Sequence, residues 1–107
     1  MEKTFDKKVI YITGASAGIG YATAELCLKK GATVIITGRD NENLKNAEKK
    51  LLKISSNVIA HNVDVSDEPQ IINSLQGVYK SCGKIDGLVN NAPSIHTGKI
   101  IDLDLSA

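Results

Sequence analysis

The sequence predicts an α/β fold: a doubly wound parallel sheet of about four strands, in the order 3-2-1-4, with three helices. Three observations predict it. Short β-type runs alternate with helical patterns, the signature of parallel βαβ units. The first run, "VIYIT" from Val9 to Thr13, is almost continuously apolar, as in a strand covered on both faces. It leads straight into the glycine-rich stretch "GASAGIG", Gly14 to Gly20, and then into a helical pattern.

Each element follows from its residues. After the glycines, Ile19, Ala22, Leu26 and Cys27 recur at helical spacing, which predicts that they form the buried face. Lys29 and Lys30 suit the negative end of that helix, and Gly31 is placed to cap it. "ATVIIT" is rich in β-branched residues and makes a second strand ending near Thr37. Asp40 then precedes a helix that buries Leu44, Ala47 and Leu51, with Lys45, Lys49, Lys50 and Lys53 on its solvated face. A Ser-Ser-Asn turn introduces a third strand, "NVIAH". In "VSDEP", Ser66 or Asp67 caps a third helix whose first turn tolerates Pro69, and Ile71, Leu75, Val78 and Tyr79 face inward. The fourth strand is expected from about Ile85 to Val89, running into "NNAPS"; near the end, Asp104 or Ser106 is placed to start a further helix.

Composition narrows the function classes. A chain of 107 residues is one domain at most, and its 42% hydrophobic and 23% charged residues are those of a globular protein rather than a disordered one. A formal charge of +1 gives no basic surface for nucleic acid. No apolar stretch approaches the roughly 18 residues of a membrane span, and "MEKTFDKKVIYI" lacks the apolar core and cleavage site of a secretory signal. Cys27 and Cys82 have neither metal-type spacing nor a disulfide framework, which points to a reduced, cytoplasmic protein. His61 and His96 stand alone and read as neither ligands nor bases, and no metal is expected.

The glycine stretch carries the chemistry. Glycine permits positive φ and close approach of a ligand to the backbone, while the N–H groups opening the next helix favour a phosphate. The spacing G-x-x-x-G-x-G departs from G-x-G-x-x-G, and it lacks the Gly-Lys-Ser/Thr ending of a nucleoside-triphosphate loop. A bare structural turn is the competing reading. About 20 residues on, where an adenosine ribose is read, stands "TGRD". Arg39 can hold a 2′-phosphate through paired hydrogen bonds, with Gly38 leaving room, or it is simply a surface charge. Asp40 is either a helix cap or an approach to the ribose hydroxyl. In the 3-2-1-4 order, the loops after strands 1 and 4 line one crevice, so the glycine turn and "NNAPS" converge there.

These elements together resemble the short-chain dehydrogenase/reductase family of NAD(P)-dependent oxidoreductases. The matching stretches are "TGASAGIG", "TGR", "DV" at Asp64-Val65 and "NNA" at Asn90 to Ala92, spread over nearly the whole chain. The resemblance implies a Rossmann-type domain in which Gly14, Ser16, Ala17, Gly18, Ile19 and Gly20 surround the pyrophosphate. It implies that Arg39 favours NADP, with NAD the alternative, that Asp64 bonds the adenine amino group, and that Val65 lies beside the ring. Asn90 would tie the central strands together, and Asn91 and Ala92 would lie along the adenosine ribose. Asp64 as a turn cap and Asn90 as a plain strand residue are the competing structural roles. Pro93 departs from the glycine usual at that place, removing a donor from the loop nearest the nicotinamide.

The family's proton-transfer step uses a Tyr-x-x-x-Lys pair with a nearby serine. Four residues after Tyr11, Tyr21 and Tyr79 stand Ala15, Glu25 and Gly83, so no such pair occurs. Residues 1–107 are therefore expected to be the N-terminal, coenzyme-binding half of a single domain whose catalytic part is absent. No catalytic residue is assigned and no turnover is expected from the chain alone. The complete protein is expected to carry out reversible hydride transfer between NADP(H) and a small carbonyl or alcohol substrate, as a homo-oligomer. A stand-alone dinucleotide-binding module without catalysis, or an inactive remnant, is the alternative. Leaving about 400 Å² of apolar sheet wet forgoes about 10 kcal/mol, comparable to a whole domain's stability, so the isolated chain is expected to be marginal, oligomeric or aggregation-prone.

Overall fold

In the computed structural model, which describes residues 4–91, the apolar run Val9–Thr13 forms strand β1 at the centre of a sheet. Its parallel neighbours are β2 (Thr33–Gly38) on one side and β4 (Gly87–Asn90) on the other, and β3 (Val58–Asn62) pairs with β2. The order is β3-β2-β1-β4, as the sequence predicts. Helices α1 (Gly18–Lys29), α2 (Asn41–Leu52) and α3 (Glu68–Cys82) make the crossovers.

The core divides into two clusters, one on each face of the sheet. Ile12, Val34, Ile36 and Val58 pack with Ala24, Cys27 and Leu28 of α1 and with Leu44, Ala47 and Leu51 of α2. On the opposite face, Val9, Tyr11 and Ile35 pack with Ile71, Leu75 and Val78 of α3. Burying a side chain of this kind contributes about 1.5–3 kcal/mol relative to leaving it exposed. Strand β4 is covered less completely: Leu88 and Val89 remain half-buried, and among the described residues β4 pairs only with β1.

Two of the helices start as expected. Asp40 caps α2, its Oδ1 accepting from Asn43 N–H at 3.0 Å, as the first of its two readings expects. Asp67, rather than Ser66, caps α3, accepting from Gln70 N–H and from the Gln70 side-chain amide. Gly31 follows α1 with a φ of 96°.

Four expectations need correction. In α1 the buried residues are Gly20, Ala24, Cys27 and Leu28; Ile19, Ala22 and Leu26 are exposed. Apolar residues occur all round this helix, so spacing alone leaves its inward face undetermined. In α3, Tyr79 is half-buried and Ser74 takes a core position instead, because its hydroxyl has partners there. Strand β4 begins at Gly87 rather than Ile85, since Asp86 is engaged in fastening strand starts: its Oδ2 accepts from Val9 N–H at 2.8 Å and pairs with Lys84 at 3.1 Å. Strand β3 is displaced by one residue, to Val58–Asn62. Ala92, Pro93, His96, Asp104 and Ser106 lie outside the described residues.

A buried chain of hydrogen bonds crosses the α3 face. The fully buried Tyr11 hydroxyl meets Ser74 Oγ at 2.7 Å, and His61 Nδ1 meets the same oxygen at 2.6 Å. With the imidazole neutral and its proton on Nε2, Tyr11 donates to Ser74 and Ser74 donates to His61. Burial pushes the Tyr11 hydroxyl up to about 12 and lowers the affinity of His61 for a proton. Protonating Nδ1 would make it a donor too, leaving Ser74 Oγ to accept from it and its own proton to find another partner.

The first turn of α1 presses on the loop before it. A methyl group at Gly20 would stand 2.5 Å from the Gly14 carbonyl oxygen and 2.8 Å from the Asn91 side-chain nitrogen. Gly20→Ala is therefore expected to cost about 1–3 kcal/mol, whereas Gly77→Ala, in α3 with open space around it, gains about 0.5–1 kcal/mol; urea unfolding of both variants checks the contrast. The His61 shift has a definite sign. The unfolded chain takes up a proton near pH 6.5 that the folded state resists, so this stability is present above that pH and is lost as pH falls below it. The urea midpoint is expected to drop between pH 7.5 and 5.5, and His61→Leu to reduce that drop.

Candidate functional site

All strands being parallel, their carboxyl ends share one edge of the sheet, and the candidate residues emerge there in strand order. Asp64 and Val65 follow β3, Arg39 follows β2, residues 14–20 follow β1, and Asn90 and Asn91 end β4. Adjacent strands lie about 4.8 Å apart, so the row from β3 to β4 spans on the order of 14 Å.

The glycine loop is held from both sides. Ala15 N–H donates to the Thr37 carbonyl at 3.0 Å, tying the loop to the end of β2. From the other side, the Asn91 side-chain amide donates to the Gly14 carbonyl at 3.1 Å, and Asn91 N–H donates to Thr13 Oγ1 at 3.0 Å. The Thr13 hydroxyl in turn reaches Asn90 Oδ1 at 3.4 Å. Asn91 is thus a brace between the two loops, a long-range contact that its sequence position does not reveal.

Within the loop, Gly14 and Gly18 have φ of 63° and 64°, a conformation that a residue with a Cβ rarely adopts. Around Gly18, no heavy atom lies within 4 Å of where a side chain would stand. Helix α1 starts there without a side-chain cap, its N-cap being Ala17, in contrast to the aspartate caps of α2 and α3. Open space, exposed backbone and the positive end of a helix dipole coincide at Ala17–Gly18. This arrangement fits an anionic, phosphate-bearing group; Ile19, 77% exposed, flanks it.

At the end of β2, Arg39 is exposed and Gly38 is buried, with Ser16 and Leu44 at van der Waals distance from the place of a Cβ on Gly38. A cavity of about 370 Å³ opens beside Ser16 and Ala17, lined also by Tyr21, Asn43, Asn46 and Lys50. Nothing in the local sequence marks it, because α1 and α2 meet there only through the fold.

After β3, Asp64 Oδ1 accepts from Ser66 Oγ at 2.6 Å and from Ser66 N–H at 3.0 Å. The Ser66 hydroxyl and N–H hold the Asp64 carboxyl below its ordinary range, with a smaller contribution from the Arg39 charge. Asp64 is thus an ionised acceptor at neutral pH. Val65 is half-buried against the α3 cluster. Ala92, the last of the candidate residues, lies outside the described region. Among the described residues no group of His, Cys, Asp and Glu is arranged to hold a metal, and no helix is long and apolar enough to cross a membrane.

Comparison with known proteins agrees with this geometry. Residues 8–107 match the short chain dehydrogenase family. The chain is 36% identical over 102 residues to 3-ketodihydrosphingosine reductase of Bos taurus, covering 91% of this chain and 31% of that protein. Among solved structures, it is similar to an NAD+-bound xylitol dehydrogenase, with a TM-score of 0.79 and 32% identity over 83% of this chain and 34% of that one. It is also similar to a metagenomic short-chain oxidoreductase in complex with NADP, with a TM-score of 0.77 and 36% identity over 82% of this chain and 40% of that one. The chain spans about a third of the length of these relatives. Its fold is the N-terminal part of theirs, with four parallel strands and three helices in the Rossmann-like order. The chain belongs to the short-chain dehydrogenase/reductase family.

Proposed function

We propose that this chain supplies the coenzyme-binding part of an NADP-preferring oxidoreductase that interconverts a carbonyl and an alcohol. The observation that carries this reading is the open backbone at Gly18 at the start of the uncapped α1, a cradle that a side chain would fill. The pyrophosphate would lie against residues 14–20, with the Gly18 and Ile19 N–H groups aimed at its oxygens. The adenosine would extend towards β3, its amino group donating to Asp64 and its ring beside Val65. Asn90, Asn91 and Ala92 would flank the ribose side, with Asn91 keeping the loop in place through Gly14.

Arg39 favours NADP in this reading. Its guanidinium offers paired donors to a 2′-phosphate, and the nearest acid along the chain, Asp40, is engaged in capping α2. An NAD-type site wants a carboxylate turned to the ribose at the end of β2, and Asp40 has one oxygen engaged at the helix start. The similarity to both an NAD+-bound and an NADP-bound relative leaves this preference to be tested on the chain itself.

The nicotinamide, when bound, supplies or accepts the hydride. The residues of this chain bind and orient; none of its tyrosines has a lysine four positions on, so the proton step is assigned to no residue here. The complete protein would act on a small carbonyl or alcohol and assemble as a homo-oligomer, in the cytoplasm. A dinucleotide-binding module without catalysis is the second reading, favoured by the concentration of all candidate residues on coenzyme rather than substrate.

Calorimetric titration of the complete protein is expected to show micromolar NADPH binding, whereas such binding by the 107-residue chain alone, without turnover, would favour the module reading. Gly18→Val is expected to weaken NADPH and NADH alike by at least about tenfold, since it fills the cradle and strains a positive φ. Arg39→Ala is expected to weaken NADPH by about tenfold or more and to leave NADH within about twofold. Unchanged affinity in the Gly18 variant would remove the basis of the reading.

A further inference from the structure

We infer that Asn62 is a positioning residue for coenzyme selectivity, acting through the backbone that carries Arg39. This rests on the NADP reading above. Asn62 is the last residue of β3 and pairs in register with Gly38, the last residue of β2. Its side-chain nitrogen donates to the Gly38 carbonyl at 2.9 Å and to the Arg39 carbonyl at 3.0 Å. Two acceptors face this group, so the amide orientation is fixed: only the NH₂ end can satisfy both.

The geometry matters because successive carbonyls of a strand point to opposite sides. Here two consecutive carbonyls reach one nitrogen, so the chain has turned out of the strand at Arg39, and the Asn62 amide holds that turn. The Gly38 carbonyl also accepts from Val63 N–H at 3.1 Å, completing its hydrogen bonding. Beyond the turn, Asp40 is fixed by its own cap on Asn43. Arg39 therefore sits between two anchored points, with its backbone set and its guanidinium exposed. A long, flexible side chain loses much of its affinity for a phosphate when its Cα wanders. Asn62 removes that freedom from the backbone end, through main-chain carbonyls alone.

Val63 N–H shares the Gly38 carbonyl with Asn62, so the bond to the Arg39 carbonyl is what the Asn62 amide adds. The Asp64 carboxylate is held by Ser66, and the Asp64 N–H donates to Gln70 Oε1, so the segment after β3 is fixed independently of Asn62. Removing the Asn62 amide thus releases the Arg39 carbonyl, while Val63 N–H still holds Gly38 and the adenine-side residues stay in place.

The test is a double-mutant cycle on the complete protein, titrated calorimetrically with NADPH and with NADH, with urea midpoints taken alongside. Asn62→Ala is expected to raise the Kd for NADPH five- to tenfold, to change that for NADH less than twofold, and to add nothing in an Arg39→Ala background. Asn62→Asp, equal in size but presenting oxygen to both carbonyls, is expected to do the same or more, and it serves as the test if the alanine variant does not fold. Equal weakening of both coenzymes, tracking the urea midpoint, would make Asn62 merely structural and overturn the proposal. So would a further loss of NADPH affinity in the Arg39→Ala background, or no loss at all in the single variants. If Arg39→Ala itself fails to separate the two coenzymes, or neither binds the parent protein, the coenzyme reading falls first and takes this proposal with it.

Discussion

The close approach of α1 to the loop before it is the constraint on which the rest of this structure depends. At Gly20 the helix backbone lies so near the Gly14 carbonyl that no methyl group fits between them. That proximity brings the positive end of the helix to the carboxyl edge of the sheet, and it leaves room for Asn91 to join the same carbonyl from β4. One carbonyl oxygen thereby locates a helix start, a loop and a strand end relative to each other. A larger residue at Gly20 would separate all three at once.

Much of this was legible in the sequence where the determining interaction is local. The β1 and β2 runs are apolar and β-branched because both faces are covered, so their assignment needed no knowledge of partners. The caps Asp40 and Asp67 bond to residues three positions on, a distance that a linear reading covers. The start of β4 was not legible, because Asp86 is held by Val9, far away in sequence. The inward face of α1 failed for another reason. Ile19, Ala22 and Leu26 are as apolar as the residues that are buried, and only packing against β2 and α2 separates them.

The candidate site divides in the same way. The glycines, Arg39 and Asp64 announce themselves by residue type and spacing. Asn62 does not, and neither does the bond from Asn91, picked out only as part of "NNA", to Gly14, since an asparagine at a strand end is ordinary until the register shows which carbonyls it meets. In both cases a side-chain amide donates to backbone across strands. The residues proposed to address a ligand were readable, and the bonds that hold them still were not. Ser74 belongs with the latter: a serine on a helix gains its meaning only from Tyr11 and His61 across the sheet.

The cap at Asp40 has an electrical consequence for its neighbour. Its negative charge faces the amino end of α2, where the helix's own partial charge offsets it. A carboxylate one residue from Arg39 would otherwise form a competing internal ion pair with the guanidinium. With one of its oxygens on the Asn43 N–H, the charge has a partner at the helix start that does not involve the guanidinium. The residue that starts α2 thus also tempers the charge beside Arg39.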